Sequence, residues 1–208
     1  MNINMKSLKH HEYVSIGSQS ANHRIILLHG WGADAEDLLP LGREIINNLQ
    51  HQFEIISLRA PNMKPDNNGR QWYSLFPANW EEADRAVEQL VNKLIEFDNT
   101  TIPLKKTILL GFSQGAAMSI AAGFKLDMGL IVSCSGYPHP NWCPTKKCPA
   151  LLSHGLKDDI VPVKASREIY KILKNNSESE CSLNEFDGFH EIHVGFIEII
   201  KRKIKEIF

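Results

Sequence analysis

The sequence predicts an α/β chain, a parallel sheet with helices on both faces, and three observations lead there. Apolar runs of strand length alternate with segments of helical period along the chain. The glycine-rich or irregular stretches 30–32, 59–80, 111–115, 134–148, 155–161 and 187–190 all follow strands. Residues 108–110, a buried-strand run, break at Gly111 and pass directly into a helix rich in small residues. In an open parallel sheet the loops that leave the strands gather at one edge, where ligands bind. A chain of 208 residues, 43% apolar and 23% charged, has an ordinary globular composition, and one domain spanning 1–208 is expected.

In order, residues 12–16 and 24–28 read as strands, the second ending at His29-Gly30-Trp31-Gly32. Asp34 or Asp37 is placed to cap a helix in which Leu38, Leu41, Ile45 and Leu49 recur at roughly helical spacing, with Gly42 against it. Residues 53–58 form a short apolar strand, and 59–80, with its prolines, Gly69 and Asn67-Asn68, is irregular. Val87, Leu90, Val91 and Leu94 mark one apolar stripe of the clearest helix. Residues 129–133 and 150–153 are buried strands, separated by the loop 134–148. Pro162 leads into a helix over 164–174, 175–179 is a polar link, and 180–186 is a last, more polar strand. An amphipathic helix over 192–208 closes the chain.

A net charge of −1 gives no reason to expect nucleic acid or an anionic membrane surface as a partner. The Lys201-Arg202-Lys203 run reads as a solvated helix face. Residues 1–14 are polar and contain no apolar core, so no signal peptide is expected, and no run approaches the length of a membrane span. Four cysteines make no disulfide framework, and reduced thiols in a cytoplasmic setting are expected. Cys143 and Cys148 match no common zinc spacing. His190-Glu191-Ile192-His193 falls one position short of H-E-x-x-H, so no metal site is expected.

The chemistry centres on residues 107–115, Thr-Ile-Leu-Leu-Gly-Phe-Ser-Gln-Gly, which set Ser113 in a G-x-S-x-G pattern between strand and helix. The turn is too tight for a Cβ at either glycine, so Ser113 is expected in a strained conformation with its hydroxyl held at the sheet edge. A serine hydroxyl attacks well only if a base takes its proton, and a histidine base needs a carboxylate to fix its tautomer. Downstream of Ser113 stand Asp158 or Asp159 on one strand-end loop and His190 on the next. Adjacent side chains in a turn point apart, so only one of the two aspartates faces His190. Asp187 is too near His190 and reads as a turn residue.

Among nine histidines, His10, His11, His23 and His51 lie in polar or terminal sequence and read as solvated. His29 and His154 each precede a glycine at a strand end and read as loop-shaping. His139 lies in a flexible-looking loop, and His193 falls inside the last helix. Only His190 follows the final strand in a turn that lets it swing back over the nucleophile. An oxyanion hole needs two N–H donors. The backbone of Gln114, directly after Ser113, supplies one, and Trp31, between two glycines, is best placed for the other.

Leu28-His29-Gly30-Trp31-Gly32-Ala33-Asp34, Arg59-Ala60-Pro61, Gly69-Arg70-Gln71-Trp72-Tyr73, Gly111-Phe112-Ser113-Gln114-Gly115-Ala116, His154-Gly155 with Asp158 and Val161-Pro162, and Gly188-Phe189-His190 occur in one order. From about Arg24 onward the chain resembles the phospholipase/carboxylesterase family of α/β hydrolases, which includes acyl-protein thioesterases and small bacterial carboxylesterases. The resemblance implies an α/β-hydrolase fold with a mostly parallel central sheet, and a Ser-Asp-His hydrolase of carboxylic esters or thioesters that uses no cofactor. It puts the catalytic aspartate at Asp158 and the oxyanion donors at Trp31 and Gln114. The family's usual leucine in H-G-L-G is tryptophan here, which keeps the N–H but changes the pocket wall. The Gly-Arg-Gln-Trp-Tyr block looks more like the bacterial esterase branch, so protein depalmitoylation is not carried over.

The expected substrate is a small-molecule ester or thioester, with no nucleic-acid partner and no stable membrane insertion. Trp72, Tyr73 and Leu75 are candidates for the acyl pocket, although as apolar residues they would equally tack the long loop to the core. No insertion is large enough for a separate cap domain, so the site is expected to be open and to favour short or exposed acyl chains. The alternatives are a lysophospholipase or peptidase on the same triad, a non-catalytic binding scaffold, and a cysteine hydrolase at Cys134.

Overall fold

Isoleucine, leucine and valine fill residues 25–28, 108–110 and 130–132, and each run forms a strand buried on both faces. The structure, a computed structural model, describes residues 6–9, 12–17, 20–50, 52–176 and 180–208. The expectations for His10, His11, His51 and residues 177–179 of the polar link lie outside them. The strands are β1 (Lys6–Lys9), β2 (Tyr13–Gly17), β3 (His23–Leu28), β4 (Phe53–Leu58), the two-residue β5 (Asn62–Met63) and β6 (Arg70–Gln71), β7 (Thr107–Phe112), β8 (Leu130–Cys134), β9 (Ala150–Gly155) and β10 (Cys181–Phe186). Eight form one sheet in the order β1-β2-β4-β3-β7-β8-β9-β10, and β5 pairs with β6 in a small hairpin. From β4 to β10 the sheet is parallel; β1 and β2 join antiparallel at the edge. The sheet is therefore mostly parallel, as expected of an α/β hydrolase.

Alternation along the central strands sorts the core into two layers. Ile26 and Leu28 of β3 point to the face covered by α2 (Trp80–Asp98), α3 (Gln114–Gly123) and α4 (Lys164–Asn176). Ile25 and Leu27 point to the opposite face, under α1 (Leu39–Ile46) and α5 (Val194–Ile207). In α2 the buried stripe is Ala83, Ala86, Val87, Leu90, Leu94 and Phe97, and Asn79 caps the helix by accepting from the Glu82 N–H. Truncating fully buried Leu94 to alanine costs about 2–5 kcal/mol. Every residue of α3 is buried, which is why that helix is built mostly from small and apolar residues, with Gln114 at its start, and shows no polar face.

Several local expectations fail for identifiable reasons. Neither Asp34 nor Asp37 caps α1: its N-cap is Leu38, with no side-chain cap and a proline in the first turn. Asp34 is instead engaged by the Arg59 guanidinium at 2.7 Å. His23 is buried, packed on the rings of Phe53 and Phe208, because β3 starts beneath the C-terminal residue rather than in solvent. His193 precedes α5 and caps it, accepting from the Gly195 N–H. The loop around His139 is packed rather than loose, with His139 buried.

Candidate active site

β7 ends against α3 in the turn that carries Ser113. Ser113 sits at φ 54° and ψ −117°, a conformation that a non-glycine residue holds only when its surroundings impose it. They do so here: its N–H donates to Cys134 O at 2.9 Å, and its carbonyl accepts from Ala116 and Ala117 N–H. A Cβ on Gly111 would run into the Gly115 backbone, and one on Gly115 into the Leu28 carbonyl. Both glycines are thus fixed by close backbone approach, and the serine side chain is left facing the loops after β9 and β10.

Those loops bring two expected residues to it. His190 Nε2 lies 3.0 Å from Ser113 Oγ, and His190 Nδ1 lies 2.7 Å from Asp158 Oδ2. Facing a carboxylate, Nδ1 carries the proton, which leaves Nε2 to accept from the serine hydroxyl. Asp158 is fixed in turn, its Oδ1 accepting from Ile160 N–H at 3.0 Å and Val161 N–H at 2.8 Å. Burial pushes the Asp158 carboxyl up, but the hydrogen bonds from His190 and from the Val161 and Ile160 amides outweigh it and hold the group below 3.8. Asp158 rather than Asp159 faces His190; Asp159 is exposed. Asp187 is paired with Lys157 at 2.6 Å, away from the histidine.

On the other side of Ser113, the loop after β3 comes close enough that a Cβ on Gly30 would stand 3.5 Å from Ser113 Cβ. Trp31 follows, and Gly32, at φ 84°, turns the chain so that its N–H reaches Arg70 O. Gln114 begins α3, where helix geometry leaves the first N–H groups without an intrahelical acceptor. Its buried side chain is a clamp: Oε1 accepts from Trp72 N–H at 3.0 Å and Nε2 donates to Tyr73 O at 2.8 Å.

Trp72 and Tyr73 are buried, the Trp72 indole donating to His29 O and the Tyr73 hydroxyl meeting Tyr137 Oη and His139 Nε2. Burial brings His139 down to about 4 and pushes Tyr137 up to about 12. Of the three acyl-pocket candidates, Leu75 lines an open groove of about 690 Å³ with Trp31, Phe76, Pro77 and Trp80, whereas Trp72 lines a separate groove of about 500 Å³ with Arg59, Pro61 and Arg70. The Trp31 ring is pinned in the first groove by a hydrogen bond to Gln71 Oε1, by Lys64 Nζ 3.9 Å from its centroid and by the edge of Phe76.

The model of the phospholipase/carboxylesterase family matches residues 9–208. The chain belongs to this family. Acyl-protein thioesterase 1 of Schizosaccharomyces pombe is 28% identical over 187 residues, covering 79% of this chain and 81% of its own. Among solved structures, esterase PE8 superposes with a TM-score of 0.82 at 25% identity over 98% of this chain and 99% of its own. The Bacillus cereus carboxylesterase superposes with a TM-score of 0.79 at 20% identity over 100% of this chain and 96% of its own. This member of the phospholipase/carboxylesterase family is therefore a hydrolase of the carboxylesterase type, on an α/β-hydrolase fold with no separate cap evident among the described residues.

Burial decides against a cysteine hydrolase. Cys134 is fully buried and its thiol is pushed up to about 12, so it carries no thiolate at neutral pH. Among the described residues, no group of three or more His, Cys, Asp or Glu side chains could hold a metal ion, and no helix is long and apolar enough to cross a membrane. His29 and His154 shape their loops: His29 contacts Gly30 O and accepts from Ala60 N–H, and His154 contacts Val161 O and Ser166 Oγ. Tyr137, His139, Phe76 and the Gln114 side chain escape sequence reasoning, since their partners lie about 40 to 65 positions away or, for Phe76, on the separate Trp31 loop.

Proposed function

We propose that the protein, acting as a single α/β-hydrolase domain, cleaves carboxylic esters through a Ser113-His190-Asp158 triad and an acyl-enzyme. The observation that carries this reading is the continuous row Ser113 Oγ, His190, Asp158, at 3.0 and 2.7 Å. Ser113 Oγ attacks the ester carbonyl carbon while His190 Nε2 takes its proton. The tetrahedral oxygen is held by the N–H groups of Trp31 and Gln114, a type of interaction worth about 10²–10³ in kcat per donor. Collapse expels the alcohol with the proton from His190. Water, deprotonated by the same imidazole, then attacks the acyl-enzyme and frees the carboxylic acid and Ser113. Asp158 holds the Nδ1–H tautomer and stabilises the imidazolium throughout.

Leu75 and the ring of Trp31 receive the acyl group in the groove between them, while Trp72 and Tyr73 serve it indirectly by fixing the loop. The pinned tryptophan where the family usually has leucine favours short acyl chains. The acyl-protein thioesterase relatives make thioesters a second candidate class. A panel of p-nitrophenyl esters and acyl-CoA thioesters of graded length tests this: hydrolysis that falls off with chain length and is abolished by Ser113→Ala supports the reading. No turnover of any member, together with no labelling by a fluorophosphonate, points to a binding scaffold instead.

A further inference from the structure

Behind the triad lies a buried histidine that the mechanism does not use. His154 is fully buried at the end of β9, four residues before Asp158 on the loop that follows. Its Nε2 is 2.7 Å from Val161 O and 3.2 Å from Asp158 Oδ2, the same oxygen that faces His190 Nδ1. Its Nδ1 is 2.6 Å from Ser166 Oγ, itself buried at the start of α4. A carbonyl only accepts, so Nε2 carries the ring proton and Nδ1 accepts from the Ser166 hydroxyl.

We infer that His154, locked in its Nε2–H tautomer by Ser166, is a positioning residue that holds Asp158 and limits how strongly that carboxylate stabilises the His190 imidazolium. Asp158 Oδ2 faces His190 Nδ1 at 2.7 Å and lies 3.2 Å from His154 Nε2, whose single N–H is divided between it and Val161 O at 2.7 Å, and Oδ1 is filled by two backbone amides. The carboxylate therefore has a donor on every side and one orientation. An N–H turned toward Oδ2 from behind neutralises part of the charge that His190 would otherwise use. Removing it strengthens the attraction for a proton on His190, so the imidazolium persists to higher pH. The other charged groups facing His154 are His190 across the carboxylate and Glu185, its neighbour on β10, which is neutralised by Arg167 of α4. Burial lowers the His154 pKa, in keeping with a neutral ring.

This rests on the proposed triad, and the test separates the two. The pH profile of kcat/KM is measured for the wild type, His154→Leu and His154→Gln, each normalised to sites titrated with a fluorophosphonate. In His154→Leu the acidic limb is expected to move up by about half a unit to one unit, the worth of one ordinary hydrogen bond. At the plateau kcat falls about three- to tenfold with KM nearly constant, because Asp158 is less well held. His154→Gln retains an N–H donor and shifts the limb less. A purely structural histidine would change the number of titratable sites and leave the limb in place, and that result would overturn the inference. Should neither variant fold, the ring nitrogen-15 shifts of wild-type His154 decide: a neutral Nε2–H ring across the acidic limb is expected, and the Nδ1–H tautomer or protonation within the limb contradicts it. Loss of the triad reading itself would appear separately, as a Ser113→Ala enzyme that still turns over.

Discussion

On the β9–β10 side of Ser113 the site is made of side chains, each hydrogen-bonded to the next, from Ser113 through His190 to Asp158. On the β3–β4 side the proposed oxyanion donors, the Trp31 and Gln114 N–H groups, belong to the main chain, and the Gln114 side chain clamps the aromatic loop at Trp72 and Tyr73. On the proposed mechanism the first flank tolerates no change of residue type, because proton transfer needs an imidazole and a carboxylate at fixed spacing. The second needs only a backbone in place, so its side chains are free to set which acyl group fits. On that reading, reaction chemistry and substrate choice are separated within one sheet edge by the strand that carries the proposed nucleophile.

The contrast can be broken most sharply on the first flank. Ser113→Ala and His190→Ala are each expected to lower kcat by about 10⁴–10⁶, and the double variant by little more, since such groups act as a unit. Asp158→Ala is expected to cost about 10⁴, against less than about twofold for exposed Asp159→Ala; a larger loss at 159 would reverse the assignment of the carboxylate. On the second flank, Gln114→Leu keeps the N–H but leaves Trp72 N–H and Tyr73 O unpaired, and a melt should show about 2–4 kcal/mol lost with kcat reduced some tenfold. Trp31→Leu should leave short-chain esters within about threefold while raising kcat/KM for longer chains about tenfold, the scale of one or two methylenes in an apolar pocket. Equal effects on all chain lengths would mean that the ring does not bound the groove.

The second flank should also respond to acid. His139, neutral and buried under Tyr73, titrates near 4 in the folded protein against 6.5 when free. Between those values the unfolded chain binds the extra proton, so stability is fully present above pH 6.5 and lost as pH falls toward 4, by about 3 kcal/mol. His139→Phe should flatten that slope in denaturant titrations across this range; an unchanged slope would show that another group carries it.

Much of this was legible in the sequence where signals are local. The apolar runs of β3, β4, β7 and β8 have strand length and no polar interruption, and the glycines around Ser113 announce a turn that excludes Cβ atoms. The aspartate was harder: Asp158 and Asp159 are equivalent in composition, and what separates them is which carboxylate meets the Ile160 and Val161 amides. Trp72 and Tyr73 read equally as pocket residues and as anchors of the loop. Their hydrogen bonds to His29 O, Tyr137 and His139 show the anchoring, and contacts across such separations leave no periodicity to read. The caps of α1 went astray for the same reason, as Arg59 of the next strand's exit competes for Asp34.

The most direct test of the central claim, that Ser113 forms the acyl-enzyme, is the site of covalent capture. The protein is treated with a fluorophosphonate and the modified peptide identified by mass spectrometry. A single adduct on Ser113, lost in Ser113→Ala and strongly slowed in His190→Ala, is the result predicted. Labelling at another residue, or ester turnover that persists after Ser113 is removed, would contradict it.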